Sequence, residues 1–508
     1  MSSVEEGGGA VGAPGGAVST DQTITTNTNP LDTIIPMPGT DFTLSNGELK
    51  HLRSLDEAFD GNQLDPKAKP LIRRVPSTLG RHEYFRNCFK PKVISIGPLH
   101  HNDPTLHASE KLKFKLAALF VKKIGGDIGG DNQTLYNNIK TEIDGLKKCY
   151  DPKELEKSSN DDEKLAWMFF VDGCAILQAV YMRYGQDYNP TPNELFIKNQ
   201  LLTFVYSDLF LLENQLPFRV LELLTSSSKN GEKFMKAIRR FIDDTVITPA
   251  DMKEPQSHQQ DRFWSSEWWE QQEGERIHLL HLLRVRLLFK KEKKENPRRH
   301  SRFCTRFFKY LINRSNQTGT KQHHSHTFCN VKELENAWIR LKASKTSCLT
   351  DISFNSVFFI GNLWLPPIIV DDSTVPNFMN LIAYEMCPDF DNDFTVTSYM
   401  CFLDSLIDEA EDVKALRLTG ILYNGLGSDE EVARLFNKMN TDLVPSPMIY
   451  SYVEQQIHNH CKNMWINYAA KAYHTLFRSP WTCLAFVAAI VALYLSALHT
   501  YYTIHQPK

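Results

Sequence analysis

An acid and two amides stand between two apolar runs in the segment DLFLLENQLPFRVLELL, which extends from Asp208 to Leu224. A buried polar group without a partner costs roughly 1 to 3 kcal/mol. A fold that buries these runs must therefore supply hydrogen-bond partners to Glu213, Asn214 and Gln215. We call these three side chains the polar corner. They are predicted to tie helices together, and the alternative is that Glu213 presents its carboxylate to a cleft.

The proline that follows the polar corner predicts where the helices meet. Pro217 lacks an N–H and disfavours helix at the residue before it. One helix is therefore predicted to end near Gln215, and a second to start with the proline in its first turn.

The composition is that of a folded chain without a strong charge bias. The 508 residues are 42% hydrophobic, and 57 basic against 60 acidic residues give a net charge of -3. This balance argues against a dedicated nucleic-acid binder, so no specific nucleic acid is expected as a partner.

The ten cysteines form no CxxC pair, and no GxxxxGK[ST], GxSxG or HExxH motif is present. We therefore predict no cofactor and no metal site.

Helical periodicity prevails along the chain and predicts a mainly α fold. The exception is a small β element at about 349–372, where β-branched and aromatic residues are broken by glycine and by paired prolines. The predicted organisation is a disordered N-terminal segment (1–45), a large helical domain (46–475) with flexible insertions at about 250–275 and 290–328, a transmembrane helix (479–502) and a short tail (503–508).

Four residues are candidates for acid–base catalysis: His100, His101, Asp172 and Glu213. The paired histidines follow a predicted turn, and imidazole titrates near neutral pH. Asp172 interrupts the apolar segment Trp167–Val180, which is predicted to be a buried helix. A lone acid in such a helix usually pairs with a cation or donor elsewhere in the core. Because no cooperating motif accompanies these residues, structural roles are favoured for all four.

A basic cluster extends from Arg284 to Arg314 and has phenylalanines among its arginines. Such clusters contact anionic lipid headgroups or RNA. Charge runs beside Asn, Pro and Ser are more often solvated loops. The solvated loop is therefore the favoured interpretation, and lipid or RNA contact is the alternative.

The run from Ser479 to Leu498 carries no charged residue and, at about twenty residues, is long enough to span a bilayer. Basic residues precede it and only Lys508 follows it, so the positive-inside rule places the bulk of the chain in the cytosol. We predict a tail-anchored, single-pass membrane protein, with a buried soluble helix as the alternative. The predicted anchor residues are Trp481, Leu484, Phe486, Val487, Ile490, Val491, Leu493, Tyr494, Leu495 and Leu498.

Several motifs in a fixed order resemble a large land-plant family known as domain of unknown function 247. They are VISIGPLHH, ASEKLKFK, MFFVDGCAIL, DLFLLENQLPFRVLELL, FFIGNLWLPPIIVDD, NLIAYE, SYMCFLDSLI and RSPWTCLAFVAAI. Together they cover the chain from Ile72 to Tyr502. The resemblance implies a plant protein with a mainly helical domain and a C-terminal anchor, and it implies no catalytic mechanism. Some members are linked to self-incompatibility in grasses, which implies recognition or signalling.

Three functional hypotheses follow. The first is a membrane-anchored interaction or signalling protein, whose partners are the lipid bilayer and an unidentified protein. The second is an enzyme that uses the His, Asp and Glu candidates as an acid–base cluster. The third is contact with anionic lipid or RNA through residues 284–314.

Overall fold

Helices form most of the structure, as the periodicity predicts. This computed structural model describes residues 45–61, 69–81, 85–128, 132–158, 161–188, 199–226, 228, 230–246, 267–290, 330–357, 360–391, 393–439, 443–462 and 480–504. The chain divides into two units, Met1–Leu64 and Asp65–Lys508. The first unit contains helix α1 (Asn46–Gly61), which the sequence had assigned to the large helical domain. The remainder of the predicted disordered segment, residues 1–44, lies outside the described residues.

The second unit begins with helices. They are α2 (Ser77–Gly80), α3 (His107–Ile128), α4 (Asn132–Thr141), α5 (Ile143–Lys147), α6 (Pro152–Ser158), α7 (Asp162–Tyr184), α8 (Asn199–Asp208), α9 (Phe218–Ser226), α10 (Gly231–Val246), α11 (Glu267–Gln271) and α12 (Leu279–Leu288). Short 3-10 turns occupy Arg86–Cys88, Pro104–Leu106 and Leu212–Asn214.

Helix α7 is apolar on almost every face, and the surrounding helices α3, α4, α9 and α10 cover it. Gly173 allows α9 to approach closely, since a Cβ at this position would lie 2.6 Å from Leu224 Cδ1. Asp161 caps the helix by accepting hydrogen bonds from the N–H groups of Glu163 and Lys164. The predicted buried helix over Trp167–Val180 is therefore present, although the Trp167 side chain itself is half exposed.

The small β element is larger than predicted. Strands β1 (Ile339–Ala343), β2 (Ser353–Val357) and β3 (Ile360–Leu365) form one sheet in the order β1-β3-β2. Helix α13 (Val331–Asn336) precedes it. β3 pairs antiparallel with β2 and parallel with β1. A second pair joins β4 (Ile368–Val370) to β5 (Leu422–Asn424) in parallel.

The paired prolines lie between β3 and β4 and so interrupt neither strand. The β element predicted at about 349–372 contains β2, β3 and β4, but the sequence analysis missed β1 and β5. Both missed strands pair with residues distant in the sequence.

The last part of the chain is helical again. Its helices are α14 (Thr374–Glu385), α15 (Thr395–Leu406), α16 (Ala410–Leu418), α17 (Asp429–Met439), α18 (Ser451–Lys462) and α19 (Pro480–Ile504). Two separate helices occupy residues 395–418, because α15 ends at Leu406 and Glu409 begins α16 with a capping box. Gly420 ends α16 with a positive φ of 73°.

Two further predictions differ from the structure. The helix predicted to end near Gln215 ends at Asp208, and a 3-10 turn fills the interval before α9. The surface insertion predicted through residue 275 contains α11, whose Trp268 side chain is fully buried. Residues 250–266 and 291–328 of the predicted insertions lie outside the described residues.

Replacement of Gly173 by alanine tests the contact between α7 and α9. The change favours an isolated helix by about 1 kcal/mol, but overpacking costs about 1 to 3 kcal/mol. Because the added Cβ would also lie 2.9 Å from Val220 Cγ1, we expect Gly173→Ala to lower the thermal unfolding temperature. The matched control is Gly145→Ala in α5, where nothing lies within 4 Å. Equal stability of the two variants would contradict the close approach.

Candidate functional site

The polar corner lies in the turn between α8 and α9, and its amides hold a buried backbone segment. Asn214 Oδ1 accepts a hydrogen bond from the N–H of Ile96 at 2.7 Å. Its Nδ2 donates to the carbonyls of Ile94 at 3.0 Å and Asp208 at 2.9 Å. The Asn214 amide therefore links the end of α8 to the segment Lys92–Gly97, which forms neither helix nor strand.

Gln215 joins the same turn to a different helix. Its Nε2 donates to the carbonyls of Leu209 at 2.9 Å and Leu211 at 2.7 Å. Its Oε1 accepts from the N–H of Leu280 at 3.1 Å, in the first turn of α12. The side-chain amides of Asn214 and Gln215 are buried, and the oxygen and nitrogen of each form hydrogen bonds. These bonds connect elements that are far apart in the sequence.

Asp208 also holds the segment Lys92–Gly97, a role that the sequence analysis missed. Its carboxylate accepts from the N–H groups of Lys92 at 2.9 Å, Val93 at 2.7 Å and Ile94 at 3.0 Å. Burial raises the pKa of Asp208, and the N–H donors act in the opposite direction. Its position as an acid directly before a run of apolar residues was the available signal.

Asp172 and Lys113 form a buried ion pair beside the same segment. Lys113 Nζ lies 2.8 Å from Asp172 Oδ1 and also donates to the Ser95 carbonyl at 2.8 Å. Glu110 supplies a third oxygen at 2.9 Å. Burial is the largest single influence and acts to lower the pKa of Lys113, but the charges and hydrogen bonds of Asp172 and Glu110 together raise it. Lys113 is thus the cation that the lone acid of α7 requires.

Gly97 closes the segment with a φ of +68°. Its N–H donates to Asp172 Oδ2 at 2.8 Å. A Cβ here would lie 2.8 Å from the Gln215 carbonyl oxygen and 2.9 Å from the Tyr150 hydroxyl. That hydroxyl itself donates to the Gln215 carbonyl at 3.0 Å. Glycine is required because both the left-handed conformation and the available space exclude a larger side chain.

Glu213 faces a different group of partners near the surface. Its Oε1 accepts from the Val75 N–H at 2.9 Å, and its Oε2 lies 3.3 Å from Arg74 Nη1. His100 Nε2 lies 2.9 Å from the same Oε2, without the geometry of a hydrogen bond. Arg74 also donates to the Leu99 carbonyl at 3.0 Å. Glu213 therefore fixes the segment around Arg74 against the histidine turn.

The four catalytic candidates are only partly brought together. His100 and Glu213 are adjacent, whereas Asp172 is occupied by Lys113 and Gly97. The Nδ1 atom of His101 has no hydrogen-bond partner among the described residues. Four cavities are found among the described residues, and none of them is lined by His100, His101, Asp172 or Glu213. Within the described residues, the carboxylates of Asp172 and Glu213 thus bind protein groups.

Helix α14 carries a second set of buried polar residues that the sequence analysis did not single out. Asn380 Oδ1 accepts from the Leu212 N–H at 2.8 Å. Glu385 accepts from the N–H groups of Val396 at 3.0 Å and Thr397 at 2.9 Å, and so caps α15. Polar residues at Asn380 and Glu385 within the otherwise apolar NLIAYE motif were the signal.

The start of the basic cluster is internal to the fold. Arg284 pairs with the buried Glu385 at 2.9 Å and with Asp393 at 2.8 Å. Arg286 pairs with Asp243. These two arginines are therefore unavailable for lipid or RNA, and residues 291–314 of the cluster lie outside the described residues.

An apolar groove of about 720 Å³ lies between α3, α4 and α7. Two large aromatic side chains line it and remain exposed to solvent, Phe114 at 50% and Trp167 at 48%. Lys122 is the charged residue of its lining. Within the described residues, no group of three or more His, Cys, Asp or Glu is placed to hold a metal ion.

Comparison with known proteins identifies relatives in plants. Residues 72–495 match the family described as plant protein of unknown function, DUF247. UPF0481 protein At3g47200 of Arabidopsis thaliana is 26% identical over 420 residues, which cover 81% of this chain and 82% of that protein. Putative UPF0481 protein At3g02645 of the same organism is 27% identical over 176 residues, which cover 34% of this chain and 33% of that protein. No solved structure matches the chain.

A double-mutant cycle tests the buried pair. Lys113→Met leaves the buried Asp172 without its charged partner, and Asp172→Asn leaves Lys113 with Glu110 alone. Breaking a buried pair in this way costs about 3 to 5 kcal/mol. We expect the double variant to lose less free energy of unfolding than the sum of the single variants, because it leaves no unpaired charge. Denaturant unfolding of the full-length protein measures this difference.

The control for that cycle is the exposed ion pair of Lys147 and Asp162, in which Lys147 Nζ lies 2.6 Å from Asp162 Oδ1. Lys147→Met should change the stability little, since surface pairs are screened by solvent. Strictly additive losses for Lys113 and Asp172 would show that the two charges do not stabilise each other.

Proposed function

The chain belongs to the plant protein family of unknown function DUF247, and we propose that it is a single-pass membrane protein whose helical domain binds a protein partner. The proposal has two parts, an anchor and a docking groove. Each part rests on a different group of exposed apolar side chains, and each is tested separately.

The anchor is supported by the contrast between two similarly apolar helices. In α7, 89% of the apolar window is buried by the rest of the protein, whereas in α19 none of the window Leu484–Tyr501 is buried. Leu493 is 72% exposed and Leu495 is 58% exposed. Exposure of so much apolar surface to water is unfavourable by roughly 25 cal/mol per Å². A bilayer removes that cost, and this contrast is the observation that carries the proposal.

The dimensions and flanking residues of α19 fit a bilayer. Its apolar window of 18 residues is about 27 Å long at 1.5 Å per residue, close to the roughly 30 Å of a hydrocarbon core. Trp481 and Tyr501 are exposed near its two ends, where aromatic side chains favour the interface. Because basic residues precede the helix, the helical domain faces the cytosol in this proposal.

Charge placed in the middle of α19 tests the anchor. Arginine at the centre of a spanning helix costs about 2.5 to 3.5 kcal/mol, so Val487→Arg with Ile490→Arg should shift the protein from the carbonate-resistant membrane fraction to the soluble fraction. A chain truncated after residue 478 should do the same. The control, Val487→Leu with Ile490→Val, should remain in the membrane.

Complete carbonate extraction of the unaltered chain would contradict the anchor. Glycosylation reports which side of the membrane the helical domain faces, because acceptor triplets for N-linked glycosylation start at Asn132, Asn313 and Asn316. A cytosolic domain leaves them unmodified, and a glycosidase-sensitive mass shift would reverse the topology.

The docking groove is the surface between α3, α4 and α7. Trp167 stacks on Phe170 with ring centroids 5.6 Å apart, and Tyr136 meets the Trp167 ring at 5.9 Å. Exposed aromatic residues beside an apolar depression are typical of binding hot spots. The apolar lining with Lys122 at its charged position fits an amphipathic helix that has acidic residues beside its apolar face.

Charge in the groove tests the interaction. Phe114→Glu with Trp167→Glu should reduce proximity labelling of the bound partner at least tenfold, since both aromatic anchors are lost. The control is Leu418→Glu on α16, where the side chain is 73% exposed and does not line the groove. Unfolding temperatures of both variants establish that they fold. An unchanged set of labelled proteins in the groove variant would exclude this surface.

A further inference from the structure

Three large apolar side chains project into solvent just before α18 and in its first turn. Val444 and Met448 are each 78% exposed, and Tyr452 is 70% exposed. They belong to the run LVPSPMIYSYV at residues 443–453, which contains no charged residue. We call these three side chains the apolar trio. Because their contact with water is unfavourable, a surface that covers them lowers the free energy of the protein.

The backbone that carries the apolar trio is held by the folded domain. The Tyr450 hydroxyl donates to the Leu349 carbonyl at 3.1 Å, and the Tyr450 ring lies 5.4 Å from the ring of Phe402 in α15. The N–H of Ser446 donates to Ser398 Oγ at 2.9 Å. These contacts fix the connection between α17 and α18, so the fold itself displays the trio to solvent.

The shape and charge of this surface favour a bilayer over a protein partner. Val444 and Met448 line none of the four cavities found among the described residues. They therefore protrude, and a fluid bilayer accepts protruding apolar groups without a complementary pocket. Glu454 is the first charged residue after the run. It follows Tyr452 by two positions, which is about 200° round the helix, so its carboxylate leaves on another side of α18.

The proposed anchor keeps a bilayer within reach of the trio. Helix α18 ends at Lys462 and α19 begins at Pro480. The interval 463–479 extends to at most about 60 Å. This tether gives the trio and the bilayer a high effective concentration, so a contact that is weak in free solution becomes favourable.

We propose that the apolar trio inserts into the interfacial region of the bilayer that α19 spans, and this inference rests on the anchor proposed above. Val444 and Met448 enter the boundary between headgroups and acyl chains. Tyr452 lies at the level of the headgroups, where tyrosine is favoured. The anchor and the trio are then two separate attachments, and together they determine which face of the helical domain lies against the membrane.

Photo-crosslinking from single positions tests the proposal on the full-length protein in discs of phosphatidylcholine and phosphatidylserine. Met448→p-benzoylphenylalanine and Tyr452→p-benzoylphenylalanine are made as separate variants, and irradiation joins the benzophenone to a C–H group that touches it. Mass spectrometry should detect phospholipid adducts at both positions. The matched control is the same replacement of Leu418 at the end of α16, which is 73% exposed. Its adduct yield should be roughly tenfold lower, since this side chain stays in water.

A crosslinker in the middle of α19 separates failure of this proposal from failure of the anchor. Leu493→p-benzoylphenylalanine should give lipid adducts wherever the trio lies. Adducts at Leu493 without adducts at Met448 and Tyr452 would overturn insertion of the trio and leave the anchor intact. Absence of adducts at Leu493 would contradict the anchor and, with it, this inference. Equal yields at Leu418 and Met448, or adducts of the trio with another protein in place of lipid, would also overturn it.

Charge within the trio provides a second test. Val444→Glu with Met448→Glu should lower the lipid adduct yield from residue 452 about fivefold, since carboxylates disfavour transfer out of water, and should leave the yield from residue 493 unchanged. Both side chains are exposed, so the variant should fold, and its unfolding temperature establishes this. The matched control, Val444→Leu with Met448→Leu, should retain the yield. An unchanged yield in the glutamate variant would overturn the proposal.

Discussion

The fold depends on how the backbone of residues 92–97 is satisfied inside the protein. This segment forms no ladder of its own, yet Ile94, Ser95 and Ile96 are buried. Buried backbone N–H and C=O groups require partners. Side chains provide most of them, because Asp208 binds three N–H groups, and Asn214 and Asp172 bind the N–H groups of Ile96 and Gly97. A stretch that sheet pairing would normally satisfy is therefore held by acids and an amide from two helices and a turn.

Hydrogen bonds from buried side chains also connect the later part of the chain to the polar corner and the segment that it holds. Gln215 binds the first turn of α12, Asn380 binds the turn that carries the polar corner, and Glu385 caps α15 while pairing with Arg284. Apolar contacts alone tolerate sliding of one helix on another, whereas each of these bonds has one geometry. Buried polar groups contribute little net free energy, so we attribute to them the choice of one arrangement over related ones.

The apolar surfaces left exposed are the ones to which function is assigned. Core positions of α7 are covered by neighbouring helices, while Trp167 of the same helix and Phe114 of α3 remain open.

The sequence by itself determined the features that depend on neighbouring residues. These are the helical class, the buried character of α7, the lack of charge in α19, and the need of Glu213, Asn214 and Gln215 for partners. Tertiary structure decided which groups those partners are, because Ile96 and Leu280 meet the corner only after distant segments fold together. It also decided where α8 ends and that β1 pairs with β3 and β5 with β4. It also provides the helices that cover the apolar window of α7, whereas no part of the apolar window of α19 is buried.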